Sequence, residues 1–168
     1  MILETDRLEM MELDARRDAD FMLALLNEPS FIRFIGDRGV RDVAQARQYL
    51  LDGPIASYRE NGFGMYLVRR KRDGDHVGVC GLVKRPQLDD VDIGFAFFPQ
   101  YWSRGYASEA AAAVLHMARN QLGLEKVVAI TDVENHGSAR VLEKIGLHFH
   151  SLIEFSPDEP PLRLFVTS

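Results

Sequence analysis

Apolar residues recur along the chain with two different spacings, and each spacing predicts a different element. Alternating or continuous apolar runs predict strands at residues 7–13, 64–70, 76–84, 92–98, 126–131, 147–155 and 162–166. A helical repeat predicts helices from Asp14 or Asp18 to Pro29, from Asp42 to Asn61, from Gly105 to Gln121 and from His136 to Ile145. Helices, then a run of strands, then alternating strands and helices predict a mixed α/β (α+β) fold with one sheet.

Proline, glycine and charged turns set the expected boundaries of these elements. Pro29 is expected to end the first helix and to leave residues 31–39 as a loop, and Gly53-Pro54 is expected to kink or split the second helix. The basic run RRKR at residues 69–72 is followed by a turn signal, so a solvated hairpin tip is expected there.

Size and composition narrow the classes of protein. With 168 residues, 46% of them hydrophobic, the chain is expected to form a single domain over residues 1–168. A net charge of −5 with both signs interspersed argues against nucleic acid as the main partner. Without an apolar stretch of membrane-spanning length or a signal-peptide pattern, we expect no membrane association and a cytoplasmic location.

Metal and cysteine chemistry are also disfavoured. Cys80 is the single cysteine and lies in an apolar strand pattern, which favours core packing over catalysis. His148 and His150 alternate on one predicted strand, but no third ligand follows at metal-binding spacing. No metal is therefore expected.

The segment between the strand at residues 92–98 and the helix at Gly105 has the features of a diphosphate site. A helix N-terminus offers unpaired N–H groups and the positive end of a dipole. Five loop amides can turn toward one diphosphate, those of Ser103, Arg104, Gly105, Tyr106 and Ala107. The side chain of Arg104 can add a positive charge, and the hydroxyl of Ser108 can add a hydrogen bond. The chain has no G-x-G-x-x-G fingerprint, and an ordinary helix start remains the alternative.

A second polar pair precedes the last predicted helix. Asn135 is a good helix cap, and its side-chain amide can also reach a pantetheine amide if the strands at residues 92–98 and 126–131 splay apart. The pantetheine arm would then pair with the exposed strand edge as an added strand does. Ser138 follows three residues after Asn135 at the same helix entry.

These segments resemble the GNAT superfamily of N-acetyltransferases, in particular its branch of ribosomal-protein-alanine acetyltransferases. The resemblance spans nearly the whole chain and is carried by ETDRL at residues 4–8, DIGFAF before YWSRGYASEA, and NHGSARVLEKIGL. The superfamily motif Q/R-x-x-G-x-G/A falls on residues 102–107, where Trp102 departs from the usual first residue. The resemblance implies a central, mostly antiparallel sheet, splayed between its fourth and fifth strands and flanked by helices.

The resemblance also implies a reaction: acetyl transfer from acetyl-CoA to a primary amine in a ternary complex, without an acyl-enzyme. It assigns Asp92 as the base, with a surface-facing carboxylate as the alternative, and the Phe97 N–H as the oxyanion donor. Phe97 and Phe98, at the strand end, are assigned to cofactor binding. Many relatives protonate the sulfur with a tyrosine that the last helix lacks, so Ser138 is the expected replacement and His136 the second candidate, with helix capping and solvent exposure as the alternative for both.

The acceptor is not identified by the sequence. Phe31, Phe34 and Tyr58 are expected to form an apolar wall for a small-molecule amine or a protein N-terminus. Two rival hypotheses remain open: a non-catalytic acyl-CoA-binding sensor or interaction domain, and a nucleotide-binding protein. Exposed strand edges at the C-terminal hairpin also make a homodimer a possibility.

Overall fold

An eight-stranded sheet forms the centre of the computed structural model, which describes residues 2–168. The strand order is β1-β2-β3-β4-β5-β6-β8-β7. The strands are β1 Leu3–Glu4, β2 Leu8–Glu12, β3 Met65–Arg70, β4 His76–Val83, β5 Asp92–Phe97, β6 Val128–Thr131, β7 Leu147–Ile153 and β8 Leu162–Thr167. The helices are α1 Ala19–Leu26, α2 Pro29–Phe34, α3 Val43–Leu50, α4 Ala56–Asn61, α5 Tyr106–Asn120 and α6 His136–Lys144.

The predicted mixed α/β fold is confirmed. Neighbouring strands pair antiparallel except β5 and β6, which are parallel and meet only where Asp92 aligns with Val128. The very short β1 was not predicted, so β5 and β6 are the fourth and fifth of the predicted strands. The sheet is therefore splayed where the sequence indicated.

Two hydrophobic clusters cover the two faces of the sheet. One packs α5 and α6 against the sheet around Val114, Leu142 and Phe165. The other packs α1 and α3 around Leu25 and Leu50. Successive side chains of β5 point to opposite faces of the sheet, so this strand contributes to both clusters.

Pro29 begins a helix, which corrects the prediction that it ends one. Its fixed φ and missing N–H suit the first position of α2, where the amide would have no intrahelical partner. Residues 31–34 of the expected loop are consequently helical, and only the segment after Phe34 is irregular. Phe31 is buried on this short helix.

The α-helical geometry of the second stretch is interrupted around Pro54, where the sequence predicts a kink or a split. A π-helical turn at Leu51–Ile55 joins α3 to α4 and absorbs the missing N–H. Gly62 ends the stretch with a left-handed φ of 79°, as the sequence predicts.

The basic run at residues 69–72 is not a wholly solvated tip. The side chain of Arg70 is 7% exposed, and its Nη2 lies 2.5 Å from an oxygen of Asp73. Its Nη1 donates to the hydroxyl of Tyr106 at 3.3 Å. Arg70 therefore joins the hairpin to the start of α5.

Across residues 2–168, the helices are all too short or too polar to traverse a lipid bilayer.

Candidate functional site

The splay between β5 and β6 opens directly after their one aligned pair. The Val128 amide donates to the Val91 carbonyl at 3.0 Å, at the N-terminal end of both strands. Beyond Asp92 and Val128, the two strands have no further aligned pairs within residues 2–168. The remaining length of β5 thus presents an open edge toward β6.

Phe97 directs its backbone toward this open edge. The next amide, of Phe98, donates to the Val77 carbonyl of β4 at 3.1 Å. Alternate residues of a strand point their N–H and C=O groups to opposite edges, so the Phe97 groups face away from β4. The Phe97 carbonyl accepts a hydrogen bond from the indole Nε1 of Trp102 at 2.8 Å.

The loop before α5 has the backbone shape needed to expose amides. Ser103 has a φ of 62° and Gly105 a φ of 83°, both left-handed, and Gly105 occupies the N-cap position of α5. Gly105 carries no side chain, and α5 has no side-chain cap, so its first N–H groups are left without a capping acceptor. The N-terminus of α5 can accordingly receive an anion.

Arg7 braces this loop from the N-terminal segment. Its Nη1 donates to the carbonyl of Arg104 at 2.9 Å, and its Nε lies 2.7 Å from a carboxylate oxygen of Glu109. Glu109 also accepts from the Thr5 hydroxyl at 2.5 Å. These contacts tie the Arg104 carbonyl and the first turn of α5 to the N-terminal segment.

A cavity of about 580 Å³, which we call the cleft, joins this loop to the open edge of β5 and to α6. Most of the side chains or backbone groups predicted from the sequence line it: Phe31, Phe34, Phe97, Ser103, Gly105, Tyr106, Ala107, Ser108, Asn135 and Ser138. Residues distant in the chain therefore converge on one space.

At the entry of α6, Asn135 both caps the helix and keeps a free donor. Its Oδ1 accepts from the Ser138 amide at 3.2 Å. Among residues 2–168, the Asn135 Nδ2 has no hydrogen-bond partner, and neither has the Ser138 hydroxyl. The capping and ligand-binding interpretations of this pair are thus compatible.

A second and wider space of about 900 Å³, which we call the groove, shares Phe31, Phe34 and Ser138 with the cleft. Asp92 lines the groove but not the cleft. The Asp92 residue is 1% exposed, and its oxygens accept from the Nε of Arg85 at 3.2 and 3.3 Å. Burial raises the pKa of the Asp92 carboxyl, while the charge and hydrogen bonds of Arg85 oppose this rise.

Three predicted residues lie outside both spaces. Phe98 packs edge-on against Phe21, with ring centroids 5.7 Å apart. Arg104 is exposed and lines neither space. Tyr58 stacks on Tyr66 at 5.5 Å, and its hydroxyl is bonded to the Leu13 amide and the Met65 carbonyl, so it supports the fold instead of the apolar wall.

The side chain of Tyr106 also has a structural role. It is buried beneath the guanidinium of Arg7, whose Cζ lies 4.5 Å from the ring centroid. Its hydroxyl accepts from Arg70, and this hydrogen bond lowers the pKa of the Tyr106 hydroxyl. Only the backbone of Tyr106 is available to a ligand at the loop.

Sequence reasoning missed several charged residues around the two spaces. Arg33 of α2, which lines the groove, forms an ion pair at 3.2 Å with Glu134, which lines the cleft. Arg140 and Lys144 of α6 line the cleft, and their four-residue spacing was a visible signal. No group of three or more histidine, cysteine or acidic side chains is arranged for a metal within residues 2–168.

Comparison with known proteins adds independent findings. A family model described as Acetyltransferase (GNAT) domain matches residues 7–148. The chain is 32% identical over 156 residues to the uncharacterized protein YkkB of Bacillus subtilis, covering 90% of this chain and 87% of YkkB.

Solved structures with the same fold include an acetyltransferase from Agrobacterium tumefaciens, with a TM-score of 0.81, 24% identity, and coverage of 99% of this chain and 93% of the other. RimL, a ribosomal alpha-N-protein acetyltransferase solved in complex with coenzyme A, has a TM-score of 0.83, 15% identity, and coverage of 98% and 96%.

Proposed function

The chain belongs to the acetyltransferase (GNAT) domain family, and on that premise we propose that it transfers the acetyl group of acetyl-CoA to a primary amine. The observation that carries the proposal is the convergence in one cleft of the uncapped N-terminus of α5 and the open edge of β5. A diphosphate fits the first feature and an amide-bearing arm fits the second. Coenzyme A contains both groups.

The amides of residues 103–107 are proposed to bind the diphosphate, with the Ser108 hydroxyl beside them. The pantetheine arm would pair with the edge of β5, while the free Nδ2 of Asn135 donates to one of its carbonyls. This arrangement brings the thioester to the neighbourhood of Phe97, whose N–H faces the open edge and is proposed to stabilise the oxyanion.

The chemistry then needs protons to leave the acceptor nitrogen twice and one proton to reach the departing sulfur. The ammonium of the acceptor loses one proton to Asp92 through water, and the free amine attacks the thioester carbonyl. A C–N bond forms and the C–S bond breaks as the tetrahedral intermediate collapses. Ser138, whose hydroxyl has no other partner in residues 2–168, is proposed to donate a proton to the departing sulfur. The second nitrogen proton leaves to solvent, and solvent returns a proton to the Ser138 oxygen.

The environment of Asp92 supports its role as the base. A carboxyl with a raised pKa holds a proton more strongly than an exposed one and is better matched to catalysis near neutral pH. The groove that Asp92 lines also contains Phe31 and Phe34, so an acceptor resting on these rings would lie on the side of the sheet that carries the carboxylate.

The acceptor class is proposed from the opening of the groove. Phe31 and Phe34 provide apolar contact on α2, and the groove extends past them toward Glu159 and Pro160. A peptide N-terminus or an extended small-molecule amine can be accommodated by such a space. Phe31 and Phe34 remain the proposed substrate wall, whereas Tyr58 is omitted because it packs elsewhere.

Thiol release from acetyl-CoA, measured with a panel of peptide N-termini, polyamines and amino-acid derivatives, tests the proposal. Amine-dependent release with a matching acetylated product is expected, and Asp92→Asn should reduce it. Asp90→Asn is the matched control, because Asp90 is an adjacent carboxylate paired with Lys126 at 3.5 Å outside the cleft.

Tight binding of acetyl-CoA without turnover for any amine would favour the non-catalytic sensor. Stabilisation of the fold by ATP or NAD but not by coenzyme A would contradict the proposed cofactor, because a ligand that binds the native state raises the free energy of unfolding by an amount that grows with the logarithm of its concentration divided by its Kd.

A further inference from the structure

The ETDRL segment at residues 4–8 packs beside the first turn of α5, and the proposed function gives this segment no role. Leu8 is fully buried and belongs to the core. Thr5 and Arg7 instead direct polar side chains to the Glu109 carboxylate, 104 residues after Thr5 in the chain. The segment thus brings hydrogen-bond donors to the N-terminal end of α5.

The guanidinium of Arg7 is held in one orientation by three partners. Its Cζ lies 4.5 Å from the centroid of the Tyr106 ring. Its Nε donates to Glu109 at 2.7 Å, and its Nη1 donates to the Arg104 carbonyl at 2.9 Å. Glu109 is itself fixed by the Thr5 hydroxyl at 2.5 Å and by the Arg7 amide at 2.9 Å. A planar guanidinium with contacts on its face and on two edges has little freedom to turn.

This contact sets the direction of the Gly105 N–H. The peptide between Arg104 and Gly105 is planar and trans, so its N–H points opposite to its C=O. Arg7 lines neither the cleft nor the groove, whereas Gly105 lines the cleft. The Arg104 carbonyl points toward Arg7, and the Gly105 N–H therefore points away from Arg7. Within residues 2–168 this N–H has no hydrogen-bond partner.

The loop needs such a contact because glycine alone does not fix this peptide. Gly105 has a φ of 83°, and glycine populates positive and negative φ about equally. A rotated peptide would present the Arg104 carbonyl in place of the N–H, and a carbonyl oxygen repels an anion. Gly105 also lets the guanidinium come close, because a Cβ at this position would lie 3.2 Å from the Arg7 Nη2.

We propose that Arg7 is a positioning residue for coenzyme A, which keeps the Gly105 N–H directed at the diphosphate by holding the Arg104 carbonyl on the outer side of the loop. This inference rests on the proposed function. Arg7 does not touch the ligand. It raises the affinity for coenzyme A because a donor that is already oriented needs no reorganisation when the diphosphate binds.

Binding of coenzyme A and of pantetheine, which lacks the diphosphate, tests the proposal on the whole chain. Arg7→Met keeps an apolar chain over Tyr106 but removes the donors, and by calorimetry it should weaken coenzyme A binding roughly tenfold. The affinity for pantetheine, measured by nuclear magnetic resonance titration, should stay within about twofold, because pantetheine does not reach the loop. Equal weakening of both ligands would show general disruption and overturn the inference.

Arg7→Lys separates orientation from charge. Lysine keeps the positive charge beside Glu109 but lacks the fork that also holds the Arg104 carbonyl. Coenzyme A binding should therefore stay roughly five- to tenfold weaker than native. Native affinity in Arg7→Lys would show that charge alone suffices and would overturn the inference.

Arg69→Met is the matched control. Arg69 pairs with Glu9 of β2 at 3.1 Å, its side chain is 39% exposed against 44% for Arg7, and it lines neither space. Its loss should leave coenzyme A binding unchanged, and circular dichroism verifies the fold of each variant. Native affinity in Arg7→Met would overturn the inference and leave the proposed function intact. Failure of the native protein to bind coenzyme A would overturn both.

Discussion

The indole N–H of Trp102 donates to the Phe97 carbonyl across 2.8 Å, which ties the loop before α5 to the end of β5. Trp102 is the only tryptophan of the chain, lines the cleft, and is 48% exposed. The residue that departs from the superfamily motif is therefore the residue that connects the two proposed cofactor-binding features.

Trp102 should report cofactor binding by its fluorescence. Coenzyme A entering the cleft would cover the half-exposed indole, so the emission should shift to shorter wavelength with a saturable titration. Trp102→Phe removes the donor to Phe97 and should weaken binding by roughly three- to tenfold, since one hydrogen bond contributes about 1 kcal/mol. Unchanged emission at saturating coenzyme A, verified by calorimetry, would contradict the placement of the ligand beside the indole.

The pH dependence of the reaction should follow Asp92 and respond to Arg85. The ionised carboxylate is the active form, and burial raises its pKa above 3.8, so kcat/KM should rise with pH through that raised pKa. Arg85 lowers the pKa by its charge and hydrogen bonds. Arg85→Gln should therefore move the rise to higher pH, whereas Asp92→Asn should abolish it.

The control for the Arg85→Gln and Asp92→Asn variants is Lys126→Gln. This change removes the cation that lies 3.5 Å from Asp90 and does not alter the contacts of Asp92. Its profile should match that of the native protein. An Arg85→Gln profile that does not move, or moves to lower pH, would show that Asp92 is not the titrating base.

The pairing of Arg70 with Asp73 should make the thermal stability of the protein depend on pH in the acidic range. Its hydrogen bonds hold the pKa of Asp73 at about 2 in the folded protein, below the ordinary 3.8. A depressed carboxyl pKa contributes stability above the unfolded value, and that contribution is lost as pH falls from 3.8 toward 2. Arg70→Met should lower the thermal midpoint at pH 7 and flatten its decline over that acidic window.

Arg72→Met is the comparison, because Arg72 is 69% exposed and lies 3.9 Å from Asp73. Weak exposed ion pairs contribute little, so this change should leave the acid dependence close to native. If the thermal midpoint falls equally steeply with pH between pH 4 and 2 in the native and Arg70→Met proteins, the ion pair with Arg70 does not lower the pKa of Asp73.

Short sequence patterns predicted the residues that line the cleft better than they predicted the side chains that contact those residues from other parts of the chain. Gly105 and Asn135 could be placed at the starts of α5 and α6 from the sequence, because the residue that precedes a helix is determined by its immediate neighbours in the chain. The partners of Asp92 and Tyr106 could not, because Arg85 reaches Asp92 from the loop between β4 and β5, and Arg70 reaches Tyr106 from the end of β3. Pro29 was assigned to the wrong end of a helix, since proline is compatible with both a stop and a first turn.

Ser138 allows capping and chemistry to be separated, because the cap uses its backbone amide and the proposed proton transfer uses its hydroxyl. Ser138→Ala keeps the amide that Asn135 accepts from, so stability should stay the same or rise slightly with the better helix former. The kcat should fall by roughly 100-fold, the usual range for losing a general acid, while the affinity for coenzyme A changes little. Ser138→Thr should restore part of the rate, and Ser30→Ala, on the opposite wall of the cleft, should leave it unaffected. A native rate for Ser138→Ala would reduce this residue to helix capping and leave the departing thiolate to be protonated by solvent.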